Sequence, residues 1–269
     1  IRSFVKTPFY RVLLVQDLGG KPFDGEWRAV EGSAYYQSPL LYKENGFKTK
    51  EDAAKLTTYI ERVQPMEAEV TAIERKTEKK NPPLLYNLAE LQNDCSRMFK
   101  ISPDETLKIV QELYEKKLVT YPRTDARVLS TAVAKEISRN ISGLKQVPDF
   151  STLADEVLAM GSYKNIASTR YTNDKQITDH YAIIPTGQGL GALRSLHPQS
   201  RSVYEAICRR FLSIFYPPAQ YRKLSMTLKI RTESFYASFK VLTEEGYLKV
   251  AGMPKKVQNT QSQKEDETE

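Results

Sequence analysis

The chain has 269 residues, 40% of them apolar, and a net charge of +7 at pH 7. That is enough length for a buried core and two domains, and the apolar content excludes a disordered chain. No apolar run is long enough for a membrane span, no signal-peptide pattern is present, and the two cysteines lack a Cys-x-x-Cys spacing, which excludes a disulfide framework and a zinc site.

In chain order, the first third is expected to be mostly β. Phe9–Val15 is rich in aromatic and β-branched residues, Gly19-Gly20-Lys21-Pro22 is turn chemistry, and Glu26–Val30 is suited to return antiparallel. A helix is expected over Lys50–Glu61 and a strand over Glu69–Arg75, followed by a charge cluster that ends at Pro82-Pro83. The proline pair is a strong break. A helical block begins after it. Asn87 is placed to cap one helix, with Glu90 three residues on and Leu88, Leu91, Cys95 and Met98 on one face. Ser102-Pro103-Asp104-Glu105 is a second start signal, with Leu107, Val110, Leu113 and Tyr114 marking the buried face. Two helices followed by an extended segment suit a helix-turn-helix or winged-helix unit.

A further helix is expected from Ser130 to Ile141, then an irregular region over Gly161–Arg170. A long helix opens at Gln199-Ser200 with Val203, Ile207, Phe211 and Ile214 inside and stops at Pro217-Pro218. The alternating runs Leu224–Ile230 and Phe235–Val241 form an expected hairpin. The chain begins at Ile1 rather than Met and closes on a polar, acidic tail, so it is expected to be a piece of a longer protein, with 253–269 a disordered tail.

The extended segment after the second helix, Leu118-Val119-Thr120-Tyr121-Pro122-Arg123-Thr124-Asp125, carries the chemistry. In an extended chain residues i and i+2 share a face, so Tyr121 and Arg123 are expected side by side. A tyrosine hydroxyl beside a guanidinium suits attack on a phosphodiester, and the guanidinium can grip a phosphate bidentately. A bare Tyr-x-Arg is more often a surface tyrosine on a polar loop. His180 in Asp179-His180-Tyr181 is likewise more often structural when alone, although its ready charge change suits phosphate contact. His197 is expected in a loop, and Gly187-Gln188-Gly189 looks like a turn. There is no P-loop, no Ser/His/Asp order and no acidic cluster of metal-ligand spacing, so no metal site is expected in this chain. The positive charge favours a polyanionic partner, nucleic acid first, and sixteen tyrosines offer stacking faces for unpaired bases.

Taken together these stretches carry a resemblance. Leu118–Asp125 resembles the active-site motif of type IA DNA topoisomerases, particularly the topoisomerase III branch. Pro82–Gln92 resembles that family's lead-in to its active-site domain, Ser96-Arg97-Met98-Phe99 the turn after it, and Asp179-His180-Tyr181-Ala182-Ile183-Ile184-Pro185-Thr186 its His-x-Ala-Ile-x-Pro motif. The resemblance spans Pro82 to Thr186 in order and spacing.

It implies an α+β fold: a β arch domain (1–82 plus 218–252) interrupted by an inserted, mainly α-helical domain (83–217) that carries the active-site tyrosine. Tyr121 would attack single-stranded DNA and hold the 5′-phosphate as a phosphotyrosine, conserving the bond energy through two transesterifications and permitting strand passage. Arg123 would stabilise the charge of the reacting phosphate and His180 would hold the scissile segment. Arg97, Thr120, Asp125 and Arg127 would contact DNA, and Asp125, from its position, would also orient Arg123. The family's TOPRIM domain, which binds Mg2+ through an acidic cluster, and its second groove domain have no counterpart in this sequence. They would be supplied by the rest of the polypeptide, so the isolated chain is expected to be inactive. The expected compartment is the cytoplasm, with no membrane partner. The alternative reading is a non-enzymatic winged-helix DNA-binding module, which explains the helix pair and the charge but gives Tyr121 and His180 no shared job.

Overall fold

A computed structural model describes residues 7–17, 22–62 and 64–252. Gly19, Gly20 and Lys21 of the expected turn and the expected acidic tail lie outside the described residues. The described residues form two compact units, one running to Glu78 and including Tyr221–Thr243, the other made of Lys79–Gln220 and the residues from Glu244 on.

The first unit is built on strands whose side chains alternate between core and solvent. β1 (Leu13–Asp17) pairs antiparallel with β2 (Pro22–Arg28), Leu13 standing opposite Glu26. The pleat of β2 turns Phe23, Gly25 and Trp27 inward. A small hairpin of β3 (Leu41–Lys43) and β4 (Gly46–Phe47) brings Phe47 to stack on Trp27, ring centroids 4.9 Å apart. Helix α1 (Lys50–Glu61) is capped by the Thr49 hydroxyl and buries Ala53, Leu56 and Ile60 at helical spacing. β5 (Glu69–Lys80), β6 (Ala219–Ile230) and β7 (Glu233–Glu244) complete a five-stranded sheet in the order β1-β2-β7-β6-β5. β5 lies at an edge and is almost wholly exposed, and its alternating charges suit an edge that must not pair with another chain.

One buried carboxylate ties this unit together. Glu233, fully buried, accepts hydrogen bonds from Trp27 Nε1 (2.7 Å), Ser33 Oγ (2.6 Å), the Ala34 amide (2.9 Å) and Thr232 Oγ1 (2.9 Å). Four donors on one carboxylate satisfy the lone pairs that burial would otherwise leave bare.

The second unit is mainly helical. α2 (Leu88–Phe99) is capped by Asn87, whose Oδ1 accepts from the Glu90 amide at 2.9 Å, and α3 (Pro103–Glu115) by Ser102. α4 (Thr131–Glu136) and α5 (Ser138–Leu144) meet at the buried Ile137, so the single helix expected from Ser130 to Ile141 is two shorter ones reaching Leu144. α6 (Pro148–Met160) was not anticipated, although Pro148 at its first turn, Phe150, Ala154 and Val157 on one face and Gly161 at its end are ordinary helix signals. The region Gly161–Arg170, expected to be irregular, holds a 3-10 helix over Ser162–Ser168. α7 (Pro198–Ser213) buries Val203, Tyr204, Ile207, Cys208, Phe211 and Leu212 and packs against α2, α3 and α6. α8 (Leu248–Ala251) also rests on α7, the Tyr247 amide donating to Pro217 O and Lys249 pairing with Glu156 at 2.7 Å. Those contacts put the residues after Thr243 in the helical unit, not in a β domain reaching residue 252.

Candidate active site

The tyrosine segment begins with the way α3 ends. Lys117 takes a left-handed conformation (φ 61°), its amide donates to Tyr114 O (2.8 Å), and the Leu118 amide donates to Leu113 O (2.9 Å). This is a Schellman termination with a lysine where glycine is usual, closed by the buried pair Leu113 and Leu118. It turns the chain abruptly out of the helix and launches an extended run.

That run lies along the segment that carries His180. Val119 bridges Pro185 antiparallel, the Thr120 amide donates to Ile184 O (3.0 Å), and the Thr186 amide donates to Leu118 O (3.0 Å). Two threonines add ties. Thr120 Oγ1 donates to Ala182 O (3.0 Å) and accepts from the Ile184 amide (2.9 Å). Thr124 Oγ1 donates to His180 O (2.9 Å) and accepts from the Ala126 amide (3.1 Å). Tyr121 and Arg123 therefore lie between two fixed points. Pro122 and Thr124 are buried, Tyr121 is half-buried, and Arg123 and Asp125 are exposed, so the alternation presents Tyr121, Arg123 and Asp125 outward together.

The ties bring the rings together. Tyr121 and His180 have centroids 4.2 Å apart at an interplanar angle of 40°, and Tyr114 of α3 meets Tyr121 edge-on at 5.5 Å and 82°. Edge-to-face geometry is a favoured aromatic arrangement. The hollow beside them, about 510 Å3, is lined by Lys117, Thr120, Tyr121, His180, Tyr181 and Gln188 among others. Burial pushes the Tyr181 hydroxyl above the usual phenol range.

The other expected DNA-contact residues separate into exposed groups and latches. Arg97 is exposed at the end of α2 and donates to Asp94 Oδ1 at 2.6 Å. Arg127 is half-buried, with Nε on Leu85 O (3.2 Å) and Nη2 on Glu90 (3.2 Å), which is the work of a latch between the tyrosine segment and the start of α2. The Thr120 hydroxyl is already used twice within the fold. The Asp125 carbonyl accepts from Asn87 Nδ2 (3.0 Å), which ties the segment to the α2 cap. Asp125 was also expected to orient Arg123, but among the described residues neither forms an ion pair, and both side chains project to solvent.

Sequence reasoning missed the anchor beneath this layer. Asp94 accepts from Tyr86 OH (2.6 Å), Arg97 Nη2 (2.6 Å) and Arg210 Nη2 (2.7 Å). Arg210 also donates to Leu84 O (2.9 Å) and lies 4.1 Å over the Tyr86 ring. This pins the lead-in from Pro82 onto α7. The Tyr86 hydroxyl is pushed up, mainly by burial. Helical periodicity does place Asp94 three residues before Arg97, but nothing local pairs it with Arg210 across 116 positions.

Among the described residues there is no group of three or more His, Cys, Asp or Glu side chains that could hold a metal ion. Cys95 and Cys208 are free and buried. No helix among the described residues is long and apolar enough to cross a membrane.

The whole chain, residues 1–269, matches the family model described as DNA topoisomerase. It is 32% identical over 235 residues, 86% of this chain, to the "DNA topoisomerase 3" of Bacillus subtilis, and covers 31% of that protein. It is 38% identical over 175 residues, 64% of this chain and 23% of the relative, to the protein of the same name from Bacillus licheniformis. The chain thus spans about a third or less of the length of these curated relatives. The fold is similar to that of the full-length topoisomerase I of Thermotoga maritima, with a TM-score of 0.59 and 22% identity, over 97% of this chain and 38% of that one. These relatives do not favour the non-enzymatic DNA-binding module.

Proposed function

The chain belongs to the DNA topoisomerase family, in its type IA branch, and on that premise we propose that it carries the strand-cutting tyrosine of an enzyme that changes DNA topology. The observation that carries the reading is the placement of Tyr121. Its strand is fastened to the His180 segment by Thr120 and Thr124, its ring lies against His180, and Arg123 projects from the same side of the strand.

In this reading the Tyr121 oxygen attacks a phosphodiester of single-stranded DNA. A bond forms between that oxygen and phosphorus, the bond from phosphorus to the 3′-oxygen breaks, the phenolic proton is given up and the 3′-oxygen takes one. The DNA 5′-phosphate remains on Tyr121, and reversal of the same step reseals the strand. Arg123 meets the phosphate oxygens as charge builds on them. His180, against the tyrosine ring, orients it and donates to the scissile phosphate. Arg97 contacts the DNA backbone farther along.

The remaining roles fall to other parts of a longer polypeptide: a TOPRIM domain that holds Mg2+ and a second groove domain. Among the described residues no group of three or more His, Cys, Asp or Glu side chains could hold a metal ion, so the magnesium is assigned to the TOPRIM domain. Thr120 and Arg127 support the tyrosine segment, since the Thr120 hydroxyl and the Arg127 guanidinium both bond within the fold. The buried free cysteines suit a reducing cytoplasm.

The test is covalent capture. The full-length protein, incubated with single-stranded DNA and magnesium and stopped with detergent, should yield a protein–DNA adduct that is absent in Tyr121→Phe. An adduct of equal yield from Tyr121→Phe would remove Tyr121 from the reaction.

A further inference from the structure

The turn Gly187-Gln188-Gly189 has no part in the cleavage chemistry, yet the fold constructs it with care. Both glycines have positive φ, 74° and 68°. A Cβ on Gly189 would stand 2.2 Å from Lys116 O, and one on Gly187 would stand 2.9 Å from Asn140 O and 3.1 Å from Gly143 Cα. The loop is therefore wedged between the end of α3 and α5, where only glycine fits. The Thr186 hydroxyl holds it from below, donating to Lys117 O and accepting from the Gln188 amide at 3.1 Å.

What this fixed turn presents is Gln188. Its side chain is exposed at the rim of the hollow that Tyr121, His180 and Tyr181 also line, and its side-chain amide has no hydrogen-bond partner among the described residues. The hollow of about 510 Å3 lies within the range of roughly 300–1,000 Å3 usual for small-molecule sites. Its lining combines aromatic faces (Tyr114, Tyr181), one side-chain amide with a donor and an acceptor side by side, the exposed cation Lys117, and the carboxylate of Glu115, which accepts from Gln111 Nε2 at 3.3 Å. That is the chemistry of a nucleoside site: a ring to stack on, an edge to read, and a charge for a phosphate.

We propose that this hollow binds the nucleoside whose 5′-phosphate Tyr121 carries, with Gln188 reading the edge of its base. This rests on the function proposed above, since the nucleoside attached to the phosphotyrosine is the one that must lie nearest the Tyr121 ring. Gln188 is then a specificity residue. It favours bases that offer a donor and an acceptor together, while Tyr181 supplies a stacking face that tolerates any base. The first nucleotide downstream of the cut would be selected here.

The experiment maps cleavage sites of the full-length protein on a single-stranded library randomised around the cut, with wild type, Gln188→Ala and Tyr121→Phe in parallel. Wild type should show a base preference at the first downstream position, and Gln188→Ala should reduce that preference by about fivefold or more. Tyr181→Leu should weaken capture at all sites without changing which base is preferred. A flat wild-type profile at that position, or a preference unchanged in Gln188→Ala while Tyr121→Phe gives no adduct, overturns the subsite alone. Failure of the wild-type protein to form an adduct, or an adduct that survives Tyr121→Phe, overturns the proposed function and the subsite with it.

Discussion

Tyr121 is half-buried with its ring 4.2 Å from that of His180, while Arg123 on the same face reaches solvent. The Tyr-x-Arg spacing was enough to put two side chains on one face, and the burial alternation over residues 121–125 follows that pattern. The contact of Tyr121 with His180, 59 positions away, was not legible, because ring contact across such a distance leaves no periodic trace. Arg123 makes no ion pair with a described residue, so Arg123→Ala should leave the thermal midpoint unchanged while slowing cleavage by the full-length protein about a hundredfold or more, the cost of losing one charge-stabilising contact. Arg123→Lys should recover little, since a point charge does not replace a planar fork. Near-normal cleavage rates for Arg123→Ala would take the arginine out of the reaction. The cysteines make a separate test. Burial pushes the Cys95 thiol up to about 12 and raises Cys208 too, so neither should react with a thiol reagent at pH 8 until the helical unit unfolds. Because an unfolded thiol ionises near pH ~8.5, these thiols contribute stability that is complete below that pH and is lost progressively toward pH 12. A denaturation midpoint that climbs across that alkaline window would contradict the burial.

At the scale of elements, caps and stops were the most legible features. Asn87 and Ser102 each cap the helix their sequence signals, and the bounds of α1 are Lys50–Glu61, with Thr49 as a cap that was not singled out. Two things were hidden. α6 was passed over because its Pro148 start lies close behind α5, and the break at Ile137 has no glycine or proline to mark it. The Schellman stop at Lys117 was invisible for a related reason, since a lysine occupies the left-handed position. That position yields a prediction. Lys117→Gly should stabilise the helical unit by about 1 kcal/mol, because the left-handed conformation costs an ordinary residue about 1–2 kcal/mol and glycine recovers part of this against its greater chain entropy. Gly189→Ala should do the reverse, forcing a methyl into Lys116 O. Equal denaturation midpoints for the two variants would mean the α3 stop is not under the strain described. The threonine ties are testable in the same way. Thr124→Val leaves His180 O and the buried Ala126 amide without their partner, which should cost about 1–3 kcal/mol and slow cleavage by loosening the His180 segment. Loss of stability with no change in cleavage rate would show that the tie serves the fold alone.

For the molecule as a whole, the described residues divide into a sheet-based unit and a mainly helical one, and the return of the residues after Thr243 to the helical unit has no signal in the sequence. That return depends on α8 resting on α7, a contact between short segments with no pattern of its own. The chain's place in a larger enzyme sets a further expectation. Alone, the 269-residue chain should neither relax supercoiled DNA nor cleave it, because no acidic cluster accompanies Tyr121 among its described residues. Magnesium-dependent relaxation by the purified chain, lost in Tyr121→Phe, would show that the chemistry is complete here. The central claim is that Tyr121 takes the 5′-phosphate of a cut single strand, and one measurement addresses it directly. The full-length protein is trapped on oligonucleotides labelled at either end, digested, and the labelled peptide identified by mass spectrometry. Only the 3′-end label should become protein-bound, and it should map to the peptide containing Tyr121. Label carried from the 5′ end, or found on a peptide without Tyr121, would contradict the central claim.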